Sequence, residues 1–178
     1  GVGPVGQLIL GSTTAELVAH ARVPVLVVKK RGTRPYTKIA VATDLSDASL
    51  AALETAITQF QPSQVVLYHA FDMPYRGLVN DKAAYEADAR ANALHETKEF
   101  ASRHLGARHS LTIEVGFGDA APSIAEYAAQ ADADLVLAGT HGRTGLFKVL
   151  LGSVALALLG ESPCDVMIVP SKGARSPA

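Results

Sequence analysis

The strongest constraint on the fold is a regular alternation, from Lys38 onward, of short apolar runs with longer segments that carry helical spacing. The short runs are rich in Val, Ile and Leu, which is typical of strands buried on both faces. Five strands are predicted, at residues 38–43, 64–71, 110–116, 134–139 and 164–169. Helices are predicted at 46–60, with Ser46 or Asp47 as the cap, and at about 80–105, 121–131 and 153–160. Strands that alternate with helices form a parallel sheet with helices on both faces.

The order of these strands predicts where a ligand would bind. Right-handed crossovers leave few topologies, and the one we expect is a five-stranded, doubly wound α/β sheet of order 3-2-1-4-5. Ligands bind such sheets beyond the carboxyl ends of the strands where the winding reverses, here between the first and fourth strands. Asp44 follows the first strand, while Gly139, Gly142 and Gly145 follow the fourth and lead towards a helix start at Ser153. A glycine loop before a helix N-terminus exposes backbone N–H groups to an anion, so the sequence predicts a nucleotide site.

The first thirty residues repeat the end of the chain. Residues 1–29 align without gaps on residues 142–170, and Gly11-Ser12 falls on Gly152-Ser153. Residues 1–30 are therefore predicted to be the last helix and strand of a preceding, truncated copy of the domain, with an extra edge strand at residues 25–28. The remaining divisions that we expect are a linker at 31–36, a complete domain at 37–170 and a flexible tail at 171–178.

Composition argues against several classes of partner. Sixteen Lys and Arg against seventeen Asp and Glu give a formal net charge of −1, without the basic excess of a nucleic-acid-binding protein. One basic cluster precedes the first strand and is interpreted as a solvated linker: Lys29, Lys30, Arg31, Arg34 and Lys38. The only cysteine, Cys164, lies in an apolar run and is predicted to be a core residue of a cytoplasmic protein. No apolar run approaches the ~20 residues of a membrane helix, so no membrane partner is expected.

Several other features of the sequence have simpler alternative explanations. Residues 116–121, "GFGDAA", match a dinucleotide fingerprint, but that fingerprint belongs on the first strand with an acidic residue ending the next one. His95 has Glu99 where a zinc protease would have its second histidine. The glycines after the fourth strand have a simple tight turn as their alternative, and His141 within them is as readily a turn residue as a phosphate contact. No general base or set of magnesium carboxylates is recognised beside Asp44.

Taken together, these residues resemble the universal stress protein family, and within it the tandem two-domain members. The family's signature Gly-x2-Gly-x9-Gly-(Ser/Thr) is matched by Gly139, Gly142 and Gly152-Ser153, and the "ATD" and "YHAF" segments at 42–44 and 68–71 also fit. The resemblance implies that these residues surround an adenine nucleotide: Ala42, Thr43, Asp44, Ala70 and Ala138 at the adenine and ribose, and Gly139, Gly142, Gly152, Ser153 and Val154 at the ribose and phosphates. Arg143 is placed by the sequence within reach of a polyphosphate.

Three functions remain open at this stage. The favoured one is an ATP-binding regulatory module, with or without Mg²⁺; the alternatives are a slow ATP hydrolase or related nucleotide-transforming enzyme, and a dimerisation module acting through its edge strand. The resemblance also implies that fifth strands pair antiparallel, so Val25–Val28 is expected beside Val166–Val169, within one chain or in a homodimer. The apolar side chains of the preceding helix, Leu10, Leu17 and Val18, then need a cover, either a second chain or upstream sequence.

Overall fold

The computed structural model describes residues 12–29, 35–60, 64–74, 76–105, 111–140 and 151–171. These residues form an α/β fold with six strands, five α-helices and one 3-10 helix. The strands are β1 Val25–Val27, β2 Lys38–Thr43, β3 Gln64–Phe71, β4 Leu111–Phe117, β5 Leu135–Gly139 and β6 Asp165–Val169. The helices are α1 Ser12–His20, α2 Asp47–Phe60, α3 Lys82–Leu105, α4 Ala120–Gln130 and α5 Ser153–Glu161, with a short 3-10 helix at Arg76–Leu78.

The strand order is β1-β6-β5-β2-β3-β4. Strands β2 to β6 are parallel, and in their own numbering they have the order 3-2-1-4-5, which confirms the predicted doubly wound fold. The winding reverses between β2 and β5, the strands that begin the two halves of the sheet. The switch point therefore lies in the middle of the sheet, where helices flank it on both faces.

Alternating residues of the central strands meet two different layers of helices. Ile39 and Val41 of β2 pack in the cluster that contains α2 and part of α3, and in that cluster Leu53 and Leu67 are fully buried. Burying such a side chain stabilises the fold by about 1.5–3 kcal/mol. Ala40 and Ala42 of the same strand face the cluster of α4 and α5 instead. The second face is lined by smaller side chains, which leaves room at the carboxyl ends of the strands.

Hydrogen bonds explain where the predicted helices begin. Helix α2 starts at Asp47, and the Oγ atom of Ser46 accepts from the amide of Ser49 at 3.4 Å, so Ser46 is the cap. Helix α3 starts at Lys82, later than the predicted residue 80, because the carboxylate of Asp81 accepts from the amide of Ala84 at 3.0 Å. The other boundaries lie within one or two residues of the prediction.

The internal repeat is visible in the elements themselves. Helices α1 and α5 have the same length and their bounds differ by the repeat offset, since 153 − 12 and 161 − 20 both equal 141. Strand β1 pairs antiparallel with β6 inside the chain, as predicted, but it ends at Val27, and Val28 lies beyond it with 55% of its surface exposed. Of the apolar side chains predicted to need a cover, Leu10 lies outside the described residues and Leu17 is exposed, but Val18 is already buried in the cluster of α4 and α5.

The interpretation of Lys29 as a solvated linker residue is wrong. Its Nζ atom donates to the carbonyl oxygens of Leu158 at 3.3 Å and Ser162 at 2.8 Å, at the carboxyl end of α5, where the helix dipole favours a cation. Burial lowers the pKa of this amine, opposed by the nearby Cys164 and Asp165. The remaining basic residues of the cluster, Lys30, Arg31 and Arg34, lie outside the described residues. Cys164 is buried, as predicted.

Candidate functional site

A cavity of about 330 Å³ opens at the predicted switch point. Strands β2 and β5 pair only as far as Val41 and Leu137, although β2 stays paired with β3 to Thr43 and β5 stays paired with β6 to Gly139. The two central strands therefore separate over their last two residues, and the cavity fills the gap. Its lining residues are Ala42, Thr43, Asp44, Ser49, Ala120, Ile124, Ala138, Gly139, Thr140, Gly152, Ser153, Val154 and Ala155.

Most of the residues predicted from the sequence meet in this cavity. Eight of them line it: Ala42, Thr43, Asp44, Ala138, Gly139, Gly152, Ser153 and Val154. Ala70 packs against the same core cluster but does not line the cavity, whose α4 wall is formed by Ala120 and Ile124. Gly142 and Arg143 lie outside the described residues, as do Gly145 and His141.

Five lining residues were not predicted: Ser49, Ala120, Ile124, Thr140 and Ala155. Ser49 and Ala155 follow the predicted loops by one helical turn or less, so extending each motif into its helix would have found them. Ala120 and Ile124 are four residues apart on α4, a spacing that places them on one face of the helix. Their role depends on how far α4 reaches over β2 and β3, which the local sequence does not specify.

The loop after β2 is held in a strained turn by Asp44. The Oδ1 atom of Asp44 accepts from the amide of Ser46 at 3.2 Å and from its hydroxyl at 2.5 Å. The intervening Leu45 has φ of 64°, in the left-handed region that a branched side chain rarely adopts. Strain of this kind, of order 1–3 kcal/mol, persists only where neighbouring contacts enforce it and clusters at functional sites. The turn therefore fixes the position of the Asp44 carboxylate beside the cavity.

A directed chain of hydroxyl groups supports the same turn. The Oγ atom of Ser49 donates its one proton to the carbonyl oxygen of Ser46 at 2.8 Å, since a carbonyl can only accept. In the 2.8 Å contact between Thr43 and Ser49, Thr43 must then be the donor, and its Oγ1 accepts in turn from the amide of Leu45 at 2.9 Å. Both hydroxyl protons are thus used within the protein. Neither hydroxyl therefore has a proton left to donate to a bound anion.

His69 supports the turn from the neighbouring strand. Its Nδ1 atom lies 2.8 Å from the carbonyl oxygen of Thr43, the residue it faces in the β2–β3 register. Because a carbonyl oxygen only accepts, this nitrogen carries a proton, which assigns the Nδ1–H tautomer to the neutral ring. The imidazole therefore fixes the peptide that joins Thr43 to Asp44.

The donors on the opposite side come from the start of α5. Gly152 is the N-cap residue, with φ of −60° and ψ of 148°, and no side chain caps this helix start among the described residues. The amide of Gly152 donates to the carbonyl oxygen of Thr140 at 2.8 Å, which ties the helix start to the end of β5. Ser153 and Val154 are exposed at the cavity. First-turn amides without a side-chain cap, at the positive end of a helix dipole, favour an anion.

Two glycine motifs acquire packing explanations. A Cβ atom on Gly139 would lie 2.8 Å from the backbone carbonyl of Ala48, so α2 requires a glycine there whatever the cavity binds. In the "GFGDAA" segment, a Cβ on Gly116 would lie 1.9 Å from the hydroxyl oxygen of Tyr68, and Gly118 has φ of 118°. Neither glycine of that segment needs a dinucleotide to account for it.

The described part of the chain has neither a cluster of metal ligands nor a helix that could span a membrane. Within it, no three His, Cys, Asp or Glu side chains are grouped closely enough to hold a metal ion. None of the helices that the structure describes has the length and apolar character needed to cross a membrane.

The part of the chain that contains the cavity matches a known protein family. Residues 35–170 match the model of the universal stress protein family. A universal stress protein from Methanocaldococcus jannaschii is 32% identical over 149 residues, which cover 79% of this chain and 85% of the relative. A universal stress protein in complex with cAMP has a TM-score of 0.54 at 22% identity, over 78% of this chain and 100% of the other. A family member from Arabidopsis thaliana with AMP bound has a TM-score of 0.52 at 16% identity, over 80% of this chain and 97% of the other.

Proposed function

Since this chain belongs to the universal stress protein family, we propose that its cavity binds an adenine nucleotide, ATP in the first place, and that the protein is a regulatory module of a stress response. The observation that carries the proposal is the meeting of a fixed carboxylate with an uncapped helix start across one cavity. Solved relatives of the same fold contain AMP and cAMP, which supports the adenine nucleotide class.

The cavity walls divide naturally into an apolar and a polar part. Ala42, Ala138 and Ile124 offer an apolar surface for adenine, and Ala120 lines the same cavity. Ala70, which the resemblance implies at the adenine and ribose, packs in the core cluster beside it. An ionised carboxylate only accepts, so Asp44 would receive a ribose hydroxyl or the adenine amino group. Phosphates would lie against Gly152, Ser153 and Val154, where backbone donors and the helix dipole favour them. Gly139 borders the ribose, and Gly142 and Arg143 are proposed as further phosphate contacts.

A binding role is favoured over catalysis by how the polar groups are used. The Asp44 carboxylate already accepts two hydrogen bonds from Ser46, and the hydroxyl protons of Thr43 and Ser49 are bound within the protein, which supports a binding role for this side of the cavity. We therefore expect ATP turnover far below the typical ~10 s⁻¹ of enzymes, with or without Mg²⁺. Ordinary turnover that is abolished by Asp44→Ala would establish the alternative, an ATP hydrolase.

The experiment that tests the binding proposal is titration calorimetry with ATP, AMP, cAMP and GTP, together with mass spectrometry of any nucleotide that co-purifies. We expect the adenine nucleotides to bind, and Ile124→Asp to weaken all of them because it places a charge in the adenine wall. Ile113→Val, on the opposite face of the sheet, is the matched control and should leave affinity unchanged. The proposal fails if GTP binds as well as ATP or if Ile124→Asp has no effect.

We also propose that α1 and β1 occupy the place of the last helix and strand of a second, twofold-related domain. In the ladder Leu26 faces Met167, its own counterpart at the repeat offset of 141, and Val25–Ile168 and Val27–Val166 are symmetric about that pair. Leu17 is 59% exposed, whereas its counterpart Leu158 is fully buried beside α4. A second domain, in tandem or in a dimer, would cover Leu17. Sedimentation of a monomer with rapid amide exchange throughout β1 would refute this pairing.

A further inference from the structure

The two strands of the antiparallel pair at the edge of the sheet, β1 and β6, are repeats of each other, so three pairings compete for this edge. Strand β6 could pair with β1, as it does here, or with a second β6, and β1 could pair with a second β1. Because the register is symmetric about Leu26 and Met167, each of these ladders would have the same pairing of equivalent positions. Only side chains and missing amides can distinguish them.

Asp165 is the feature that differs between the pairings. It begins β6, is 4% exposed, and accepts from the amide of Lys29 at 2.7 Å and from the hydroxyl of Tyr36 at 2.7 Å. The ammonium group of Lys29 attracts this carboxylate electrostatically and donates to the carbonyl oxygens of Leu158 and Ser162 at the end of α5. Of the two donors to Asp165, the amide of Lys29 belongs to the β1 side, whereas Tyr36 lies just before β2.

In a β6–β6 ladder the amide and the ammonium group of Lys29 would be lost. The repeat offset places Pro170 where Lys29 stands, since 29 + 141 = 170, and proline has neither an amide hydrogen nor an ammonium group. The buried Asp165 would lose its hydrogen bonds to Lys29 on both sides of the twofold axis. A β1–β1 ladder fares differently, because the counterpart of Asp165 is Pro24 and no carboxylate is present for Lys29.

We propose that Asp165 and Lys29 select the strand that occupies the β6 edge: it accepts the unlike strand of residues 25–29 and rejects a second copy of β6. The partner that fits this edge is an extended segment. Two residues beyond the end of its ladder with β6 it carries a backbone N–H that can donate and a long basic side chain, as Lys29 does beyond Val27. The repeat has thus lost its self-complementarity at one residue pair while keeping the symmetric backbone register.

The test uses disulfide trapping at the pair on the symmetry axis, in the full chain with Cys164→Ala as background. Residues directly opposite in an antiparallel ladder have Cα atoms about 4.5–5.5 Å apart, within the range of a disulfide. With Leu26→Cys and Met167→Cys together in a glutathione buffer, we expect the 26–167 disulfide to dominate. With Met167→Cys alone, a 167–167 disulfide dimer reports β6–β6 pairing.

The decisive variants exchange the two residues that break the symmetry. Adding Lys29→Pro and Pro170→Lys to Met167→Cys gives β6 the donors that β1 had. We expect the yield of the 167–167 dimer to rise about tenfold or more over the chain that carries only Met167→Cys and Lys29→Pro. A rise of this size is the effect of regaining a hydrogen bond to a charged group. If the exchanged chain does not fold, Pro170→Lys alone is compared with Met167→Cys in the same way. Asp134→Asn, at the start of the adjacent strand, is the control for general destabilisation and should not raise the dimer. Equal dimer yield with and without Pro170→Lys would overturn the proposal.

Discussion

Replacing Gly152 by aspartate should remove phosphate binding without damaging the fold. The backbone of Gly152, at φ of −60° and ψ of 148°, is open to any residue, so a side chain there introduces no backbone strain. Aspartate is a preferred N-cap, worth a few tenths of a kcal/mol over glycine, and its charge at the helix start adds about 0.3–1 kcal/mol. We therefore expect the unliganded variant to be as stable as the wild type or slightly more so.

The same carboxylate would occupy the amides that a phosphate needs. A hydrogen bond to a charged group contributes about 1.5–3 kcal/mol, and like-charge repulsion adds to its loss, so the Kd for ATP should rise about 100-fold or more. Gly152→Asn caps the helix without charge and should give a smaller increase, about tenfold. Calorimetry with ATP and with adenosine separates the two ends of the site, because adenosine has no phosphate and should bind both variants like the wild type.

Two results would refute this reasoning. Wild-type ATP affinity in Gly152→Asp would show that the phosphates do not lie at the start of α5. An equal loss of ATP and adenosine would show that the substitution distorts the cavity instead of competing with phosphate.

Three further outcomes follow from the packing and the ionisable groups. Gly139→Ala should lower the free energy of unfolding by about 1–3 kcal/mol without ligand, because the added Cβ would lie 2.8 Å from the Ala48 carbonyl. Gly77→Ala is the control in thermal unfolding, since a Cβ there would meet no atom within 4 Å. Burial opposes ionisation of the Asp134 carboxyl, but hydrogen bonds from Lys38 and Thr37 outweigh burial and lower its pKa. The stability that the ionised carboxylate contributes is therefore lost as the pH falls through that lowered pKa. Asp134→Asn should lower the free energy of unfolding by about 1 kcal/mol at neutral pH and flatten the acid limb of a denaturation series. Burial, with the hydrogen bond to Asp165, raises the pKa of Tyr36 to about 12, so its stabilising effect should disappear as pH rises from 10 towards 12, and Tyr36→Phe should remove the last step of the tyrosinate absorbance titration.

The architecture could be predicted because each strand and helix of the domain signals itself locally. Alternation and right-handed crossovers fix the order of β2 to β6, and the switch point then brings Asp44 and Ser153 to one cavity although they lie far apart in sequence. The sequence repeat also predicted the position of β1 and its antiparallel pairing with β6.

What the sequence could not specify comes from contacts between distant segments. Ala70, which the resemblance implies at the adenine and ribose, packs in the core cluster beside the cavity, whereas Ala120 and Ile124 line it. The reach of α4 depends on packing that no local pattern encodes. Lys29 was assigned to a solvated linker by composition, although the end of α5 draws it into the structure. The sequence around Lys29 does not reveal that the distant carbonyl oxygens of Leu158 and Ser162 need a hydrogen-bond donor.

The tautomer of His69 fixes the direction of its hydrogen bond to the turn after β2. Because Nδ1 donates to the carbonyl oxygen of Thr43, the lone pair of the neutral ring lies on Nε2. The hydroxyl chain below it, from Leu45 through Thr43 and Ser49, also runs in one direction and ends on the carbonyl oxygen of Ser46. The turn is therefore preorganised, since it needs no rearrangement of these hydrogen bonds to present Asp44 at the cavity.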